Sequence, residues 1–77
     1  MNDWPKIYVD WNDCIGRNYT RLDNGWAKED IKRQNIEMKE GAKVNLYGDD
    51  VEIQGTLHYS DKEQAWTAIY DKDSLFQ

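Results

Sequence analysis

The sequence predicts a mainly β (α+β) fold, a small, bent antiparallel sheet with one short helix near residues 27–34. Residues 51–59 alternate between apolar and polar side chains, shorter alternating runs flank them, and only residues 27–34 have helical spacing. With 77 residues the chain forms one domain, 1–77, whose thin core depends on four Trp, five Tyr and one Phe.

Two strands are predicted in the N-terminal third. Residues 6–11 alternate, and their apolar side consists of Ile7, Val9 and Trp11. Residues 12–16 are rich in turn formers and end this strand. Arg17–Leu22 is the second predicted strand, and the run 23–25 breaks the chain after it.

One short helix is predicted over Ala27–Gln34. Glu29 and Asp30 would lie in its first turn, and two basic residues in its last, as the helix dipole favours. Its apolar face is narrow, with Ala27 and Ile31 at its centre, so the helix needs support from the sheet.

The C-terminal half predicts a three-stranded meander over residues 43–48, 51–59 and 65–70. The turn between its first two strands contains Gly48, whose backbone freedom would set that turn. Gly55 lies on the apolar side of the long strand, where we expect a bend or bulge. The inward residues of the last strand are Trp66 and Ala68, and Ile69 lies opposite, beneath a C-terminal segment in which Leu75 and Phe76 dock back.

Two architectures fit these elements. One is an SH3-like, partly open barrel, in which the bend at Gly55 lets the long strand serve both halves. In that barrel, Trp4 and Trp26 would cap the open ends. The other is an α+β sandwich, in which the helix lies across an antiparallel sheet.

Several stretches resemble a group of short, uncharacterised bacterial proteins. They include Lys6-Ile7-Tyr8-Val9-Asp10-Trp11, Ile36-Glu37-Met38-Lys39-Glu40-Gly41, Val44-Asn45-Leu46-Tyr47-Gly48-Asp49-Asp50-Val51-Glu52 and Trp66-Thr67-Ala68-Ile69-Tyr70-Asp71. The resemblance covers most of the chain. It implies a compact single domain, and because the group has no named function it implies nothing about activity.

The titratable residues argue against an enzyme or a metalloprotein. His58 is the only histidine and Cys14 the only cysteine, so the usual zinc ligands cannot be assembled. Carboxylates occur in pairs, but so small a domain has little volume for the cleft that a hydrolase needs. We therefore expect no catalytic residues, no metal and no cofactor.

The sequence predicts a cytoplasmic protein without a membrane segment. No apolar run approaches 18 residues, and the N-terminal residues lack the pattern of a signal peptide. A single cysteine also differs from the many cysteines of small secreted domains.

Charge indicates the class of function. The formal net charge is −5, and the whole excess lies in residues 49–77. Such a charge disfavours nucleic acid as a partner. The sequence predicts a non-enzymatic, acidic protein-interaction module, such as an inhibitor or accessory protein, that meets a basic protein through an acidic hairpin face. The candidate binding residues are Tyr47, Asp49, Asp50 and Glu52.

Two alternatives stay open. The acidic surface could serve solubility alone. The chain could also be a small barrel that binds nucleic acid, with Trp26 or Tyr19 as stacking groups. Its binding face would consist of Arg17, Arg21, Lys28, Lys32 and Arg33. A shared groove for these five side chains would favour nucleic acid, whereas pairing with acidic neighbours would disfavour it.

Overall fold

Five strands and one helix form the fold in the computed structural model, which describes residues 3–14 and 16–71. The elements in chain order are β1 (Lys6–Tyr8), a 3-10 turn (Trp11–Cys14), β2 (Tyr19–Arg21), α1 (Gly25–Gln34), β3 (Lys43–Gly48), β4 (Val51–Ser60) and β5 (Ala65–Tyr70). The predicted mainly β fold with one short helix is confirmed. No helix within the described ranges has the length and apolarity to cross a membrane.

The strands form one open sheet in the order β1-β3-β4-β5-β2. β1 runs parallel to β3, and the other three pairings are antiparallel. The sheet is therefore mixed rather than purely antiparallel, and it does not close into the SH3-like barrel that was one predicted architecture. Its two edges are the strands from the N-terminal third of the chain, and the meander forms its centre.

The predicted meander is confirmed almost to the residue. Its register continues through Gly55, which pairs with Val44 on one side and Tyr70 on the other, so the bulge expected there is absent. A Cβ on Gly55 would lie 2.7 Å from Cδ1 of Leu46. The glycine thus makes room for a core leucine.

The core covers one face of the sheet. Its buried residues are Ile7, Val9, Cys14, Leu22, Ala27, Val44, Leu46, Leu57, Ala68 and Tyr70. Each buried Leu, Ile or Val side chain contributes roughly 1.5–3 kcal/mol. Ile69 lies on the opposite face, as predicted, and is 39% exposed. The predicted docking of Leu75 and Phe76 lies outside the described residues.

The two N-terminal strands are shorter than predicted. β1 ends at Tyr8, and Trp11 begins the 3-10 turn instead of extending the strand. Trp11 is half-buried: its Nε1 donates to the Gly48 carbonyl at 2.8 Å, and its ring packs edge-on against Tyr70. β2 keeps only three of its six predicted residues, Tyr19–Arg21.

α1 begins at Gly25, two residues before the predicted start. Its N-cap is Asn24, whose Oδ1 accepts a hydrogen bond from the Ala27 N–H at 2.8 Å. Glu29 and Asp30 consequently lie beyond the first turn, so the predicted dipole interaction there is wrong. The helix ends at Gln34, and its C-cap Asn35 adopts a left-handed conformation with φ of 54°.

Candidate functional site

α1 lies along the outer edge of β1. Asp30 Oδ2 accepts a hydrogen bond from the Tyr8 N–H at 2.9 Å. One turn further on, Gln34 accepts from the Lys6 N–H at 3.1 Å and donates to the Lys6 carbonyl at 2.6 Å. These two side chains bond the backbone groups that a neighbouring strand would otherwise bond, so the helix seals this edge of the sheet.

Asp30 is a buried carboxylate with three partners. It is 3% exposed, and besides the Tyr8 N–H it accepts a hydrogen bond from the Tyr47 hydroxyl at 2.8 Å and pairs with Arg33. Together these partners replace the hydration that burial removes. The hydrogen bond to the Asp30 carboxylate, aided by burial, raises the pKa of Tyr47 above its ordinary value.

Three aromatic side chains form a surface beside this carboxylate, which we call the aromatic shelf: Tyr8, Trp26 and Tyr47. The Tyr8 and Tyr47 rings meet edge-on with centroids 5.8 Å apart. The centroid of the Trp26 ring lies 6.3 Å from that of Tyr8, and the planes of these two rings are inclined by 59°. The two tyrosines are half-buried, whereas Trp26 is 72% exposed. Trp26 therefore does not cap a core, contrary to the barrel prediction.

The acidic hairpin (Asp49, Asp50 and Glu52) adjoins the shelf. Glu52 is the direct cross-strand neighbour of Tyr47, and its carboxylate lies 3.1 Å from Nζ of Lys6. Asp49 and Asp50 are exposed at the β3–β4 turn. The four predicted binding residues thus lie along one hairpin, but the Tyr47 hydroxyl is already bonded to Asp30.

Asp49 and Asp50, rather than Gly48, supply the backbone freedom of this turn. Their φ values are 48° and 64°, while Gly48 is not among the residues with positive φ in the described chain. Two consecutive left-handed residues between the paired Gly48 and Val51 form a type I′ hairpin turn. Gly48 is required for another reason: a Cβ there would lie 2.1 Å from the Val9 carbonyl oxygen.

Replacing Asp50 with glycine should stabilise the protein by about 1 kcal/mol, because glycine adopts positive φ without the strain of a side chain. The midpoint of denaturant unfolding should rise at an unchanged slope. Asp61→Gly removes the same charge from a turn residue without positive φ and should give no gain. A lower midpoint for Asp50→Gly would contradict the turn geometry.

The five basic residues of the alternative nucleic-acid face do not form a basic groove. Arg21 pairs with Asp23 and Glu63, and Arg33 pairs with Asp30. Arg17 lies over the Tyr19 ring. The cavity that Arg17 and Arg21 share is also lined by three aspartates, Asp10, Asp13 and Asp23. Lys28 and Lys32 are exposed on α1. This arrangement disfavours a phosphate-binding face.

The remaining reactive residues make structural contacts. The Glu40 carboxylate lies 2.7 Å from Nδ1 of His58 and accepts from the Tyr59 N–H at 3.0 Å; the contact with His58, aided by that with Tyr59, lowers the pKa of Glu40. Cys14 is buried, with its sulfur 3.5 Å from the Asp10 carbonyl. Within residues 3–14 and 16–71, no cluster of three or more potential metal ligands occurs.

Comparison with known proteins adds no relative: no family model matches the sequence, and neither curated proteins nor solved structures gave a match.

Proposed function

We propose that the protein is a cytoplasmic, non-enzymatic interaction module that binds a basic partner protein through the aromatic shelf and the acidic hairpin. The observation that carries this proposal is Trp26. It is 72% exposed, next to two half-buried tyrosines. Tryptophan is among the residues that dominate binding energy at protein interfaces. An exposed ring leaves apolar surface in contact with water and does not stabilise the fold, which is typical of a binding surface.

The position of Trp26 follows from the helix contacts. Trp26 and Asp30 are one turn apart on α1, and Asp30 is fixed on Tyr8 and Tyr47. Trp26 is consequently held beside the Tyr8 ring rather than on a free loop. A ring positioned in advance loses little conformational freedom on binding, which favours affinity.

The acidic hairpin supports a basic partner. Glu52 lies beside Tyr47, and its ion pair with Lys6 joins two exposed side chains. Such a pair contributes little stability, so a cation from a partner can replace Lys6 at small cost. Asp49 and Asp50 add negative charge at the same end of β3 and would speed association with a basic surface.

Trp26→Ala should reduce capture of the native partner at least about tenfold, the effect of losing an interface hot spot. The wild-type protein and this variant would be used as baits in lysate from the native cell, with captured proteins quantified by mass spectrometry. The fold should survive because the ring is exposed, and far-ultraviolet circular dichroism would verify this. Equal capture by wild type and Trp26→Ala would overturn the proposal.

Charge can be tested separately with Asp49→Asn/Asp50→Asn, since asparagine also tolerates the left-handed conformation of this turn. Association with the identified partner should slow at low ionic strength and differ little at high salt. The matched control is Glu37→Gln/Asp61→Asn, which removes the same charge from exposed residues elsewhere. If both double variants slow association equally, net charge alone is responsible. A partner that disappears after nuclease treatment would favour the nucleic-acid alternative.

A further inference from the structure

β2 is the edge strand at the end of the sheet opposite the edge that α1 seals, and no described strand pairs with its outer side. Tyr70 donates its N–H to the Asn18 carbonyl, and Leu22 donates to Trp66. In an antiparallel pair, bonded and non-bonded residues alternate. Tyr19 and Arg21 therefore direct their backbone groups away from β5, and no described residue bonds to the N–H of either.

We propose that a second copy of this chain occupies this edge, pairing antiparallel through β2 about a twofold axis at Thr20. Tyr19 of each copy then lies opposite Arg21 of the other, and the outward backbone groups of the two residues bond each other. The Thr20 hydroxyl lies 3.4 Å from the Arg21 carbonyl, which keeps a second lone pair for this bond. The two five-stranded sheets then form one continuous sheet across the dimer.

Charge complementarity selects the second copy and its register. Side chains alternate between the two faces of a strand, so every second residue projects from the same face of the sheet. On one face of β2 and its flanks, these residues are Arg17, Tyr19, Arg21 and Asp23. With the axis at Thr20, Arg17 lies opposite Asp23 of the second copy, twice in the dimer. Moving the axis to Tyr19 would place Arg17 opposite Arg21, and moving it to Arg21 would place two arginines opposite each other. Like charges directly opposite are destabilising.

The side chains along this edge make contacts that are compatible with the dimer. The Arg17 guanidinium lies 5.8 Å from the centre of the Tyr19 ring, which shows that this ring can pack against an arginine. Near the axis, each Arg21 keeps its own carboxylate partners, Asp23 and Glu63. Repulsion between the two copies of Arg21 is thereby reduced. Because β2 has only three residues, the interface is small and the dimer is weak.

The direct test is amide hydrogen exchange by NMR on the wild-type protein, from about ten micromolar to about one millimolar, where weak interfaces form. The Tyr19 and Arg21 amides should become protected as concentration rises. The Thr20 amide, which faces β5 within each copy, should stay protected throughout. Unprotected Tyr19 and Arg21 amides at every concentration would overturn the proposal. So would protection that appears only when another protein is added.

Charge variants test the register by sedimentation velocity. Arg17→Asp should weaken the dimer about tenfold, since it makes both cross-strand charge pairs repulsive. Asp23→Arg should weaken it at least as much, since it also removes a partner of Arg21 within each copy. The combined variant Arg17→Asp/Asp23→Arg should bind more tightly than either single variant, because it restores both cross-strand pairs and leaves Arg21 paired with Glu63. Lys28→Asp, the same change of charge on α1, should leave it unaltered. A combined variant weaker than both single ones would refute this register. The aromatic shelf lies at the opposite sheet edge, so this result is independent of the proposed function.

Discussion

Gly48→Ala is expected to destabilise the protein by about 3 kcal/mol or more, enough to unfold most of a domain this small. The new Cβ would lie 2.1 Å from the Val9 carbonyl oxygen and 3.3 Å from Nε1 of Trp11. Neither group can move away freely. Val9 donates its N–H to Tyr47 at 2.8 Å, and Trp11 donates to the Gly48 carbonyl at 2.8 Å. Relief of the clash would break one of these bonds.

Unfolding by denaturant, followed by tryptophan fluorescence, measures this loss. Gly25→Ala is the matched control, because a Cβ there meets nothing within 4 Å and Gly25 begins α1. It should stabilise the protein by up to about 1 kcal/mol. Gly55→Ala should fall between the two, since the atoms its Cβ meets first belong to the Leu46 side chain rather than to the backbone. Similar midpoints for Gly48→Ala and Gly25→Ala would contradict the close approach of β1 to β3.

Asp30→Ala is expected to cost about 2–4 kcal/mol, because it leaves the Tyr8 N–H and the Tyr47 hydroxyl without their acceptor. Arg33 adds less, since it is exposed and can be hydrated. The same denaturant experiment measures the loss. Glu29→Ala removes an exposed carboxylate from the neighbouring position and should change stability by less than about 0.5 kcal/mol. Equal effects of the two substitutions would show that Asp30 does not hold α1 on β1.

A titration provides an independent readout of the same contact. The Asp30 carboxylate raises the pKa of Tyr47, so Asp30→Asn should return that pKa toward the ordinary value of tyrosine. Tyrosinate absorbance would report the change, and Tyr47→Phe would identify its source. Since the pKa of Tyr47 is raised in the folded state, its contribution to stability is complete below about pH 10 and is lost as pH rises through the folded value. Asp30→Asn should reduce this alkaline sensitivity.

Local patterns explain why the meander was predictable from the sequence. β3, β4 and β5 are joined by short turns, so each strand pairs with its neighbour in the chain and alternation alone determines the buried face. β1 and β2 have distant partners. Period-2 alternation identifies a buried face but no partner strand, so it could not predict that β1 runs parallel to β3.

The burial of the Asp30 carboxylate was not predicted from the sequence, for a related reason. Asp30 carries the charge expected near a helix start, and only the docking of α1 on β1 reveals that it is buried. A signal was nevertheless present. Trp26, Asp30 and Gln34 recur at every fourth position and form a second helix stripe beside Ala27 and Ile31. This stripe borders the apolar stripe, so its side chains lie at the boundary of the buried helix face, where contact with the sheet occurs.

The order of strands has a consequence for protein synthesis. β1 and β2 leave the ribosome first, yet their partners are β3 and β5, which end at Gly48 and Tyr70. β1 therefore remains without its sheet partner until Gly48 has been made, and β2 remains without its partner until Tyr70 has been made. We expect folding to start with the two hairpins of the meander, which form within about 1–10 μs, and to finish with the slower docking of both edge strands. The sheet accordingly cannot be complete before Tyr70 has been made, and a chain truncated before β5 would retain a β2 without its partner strand.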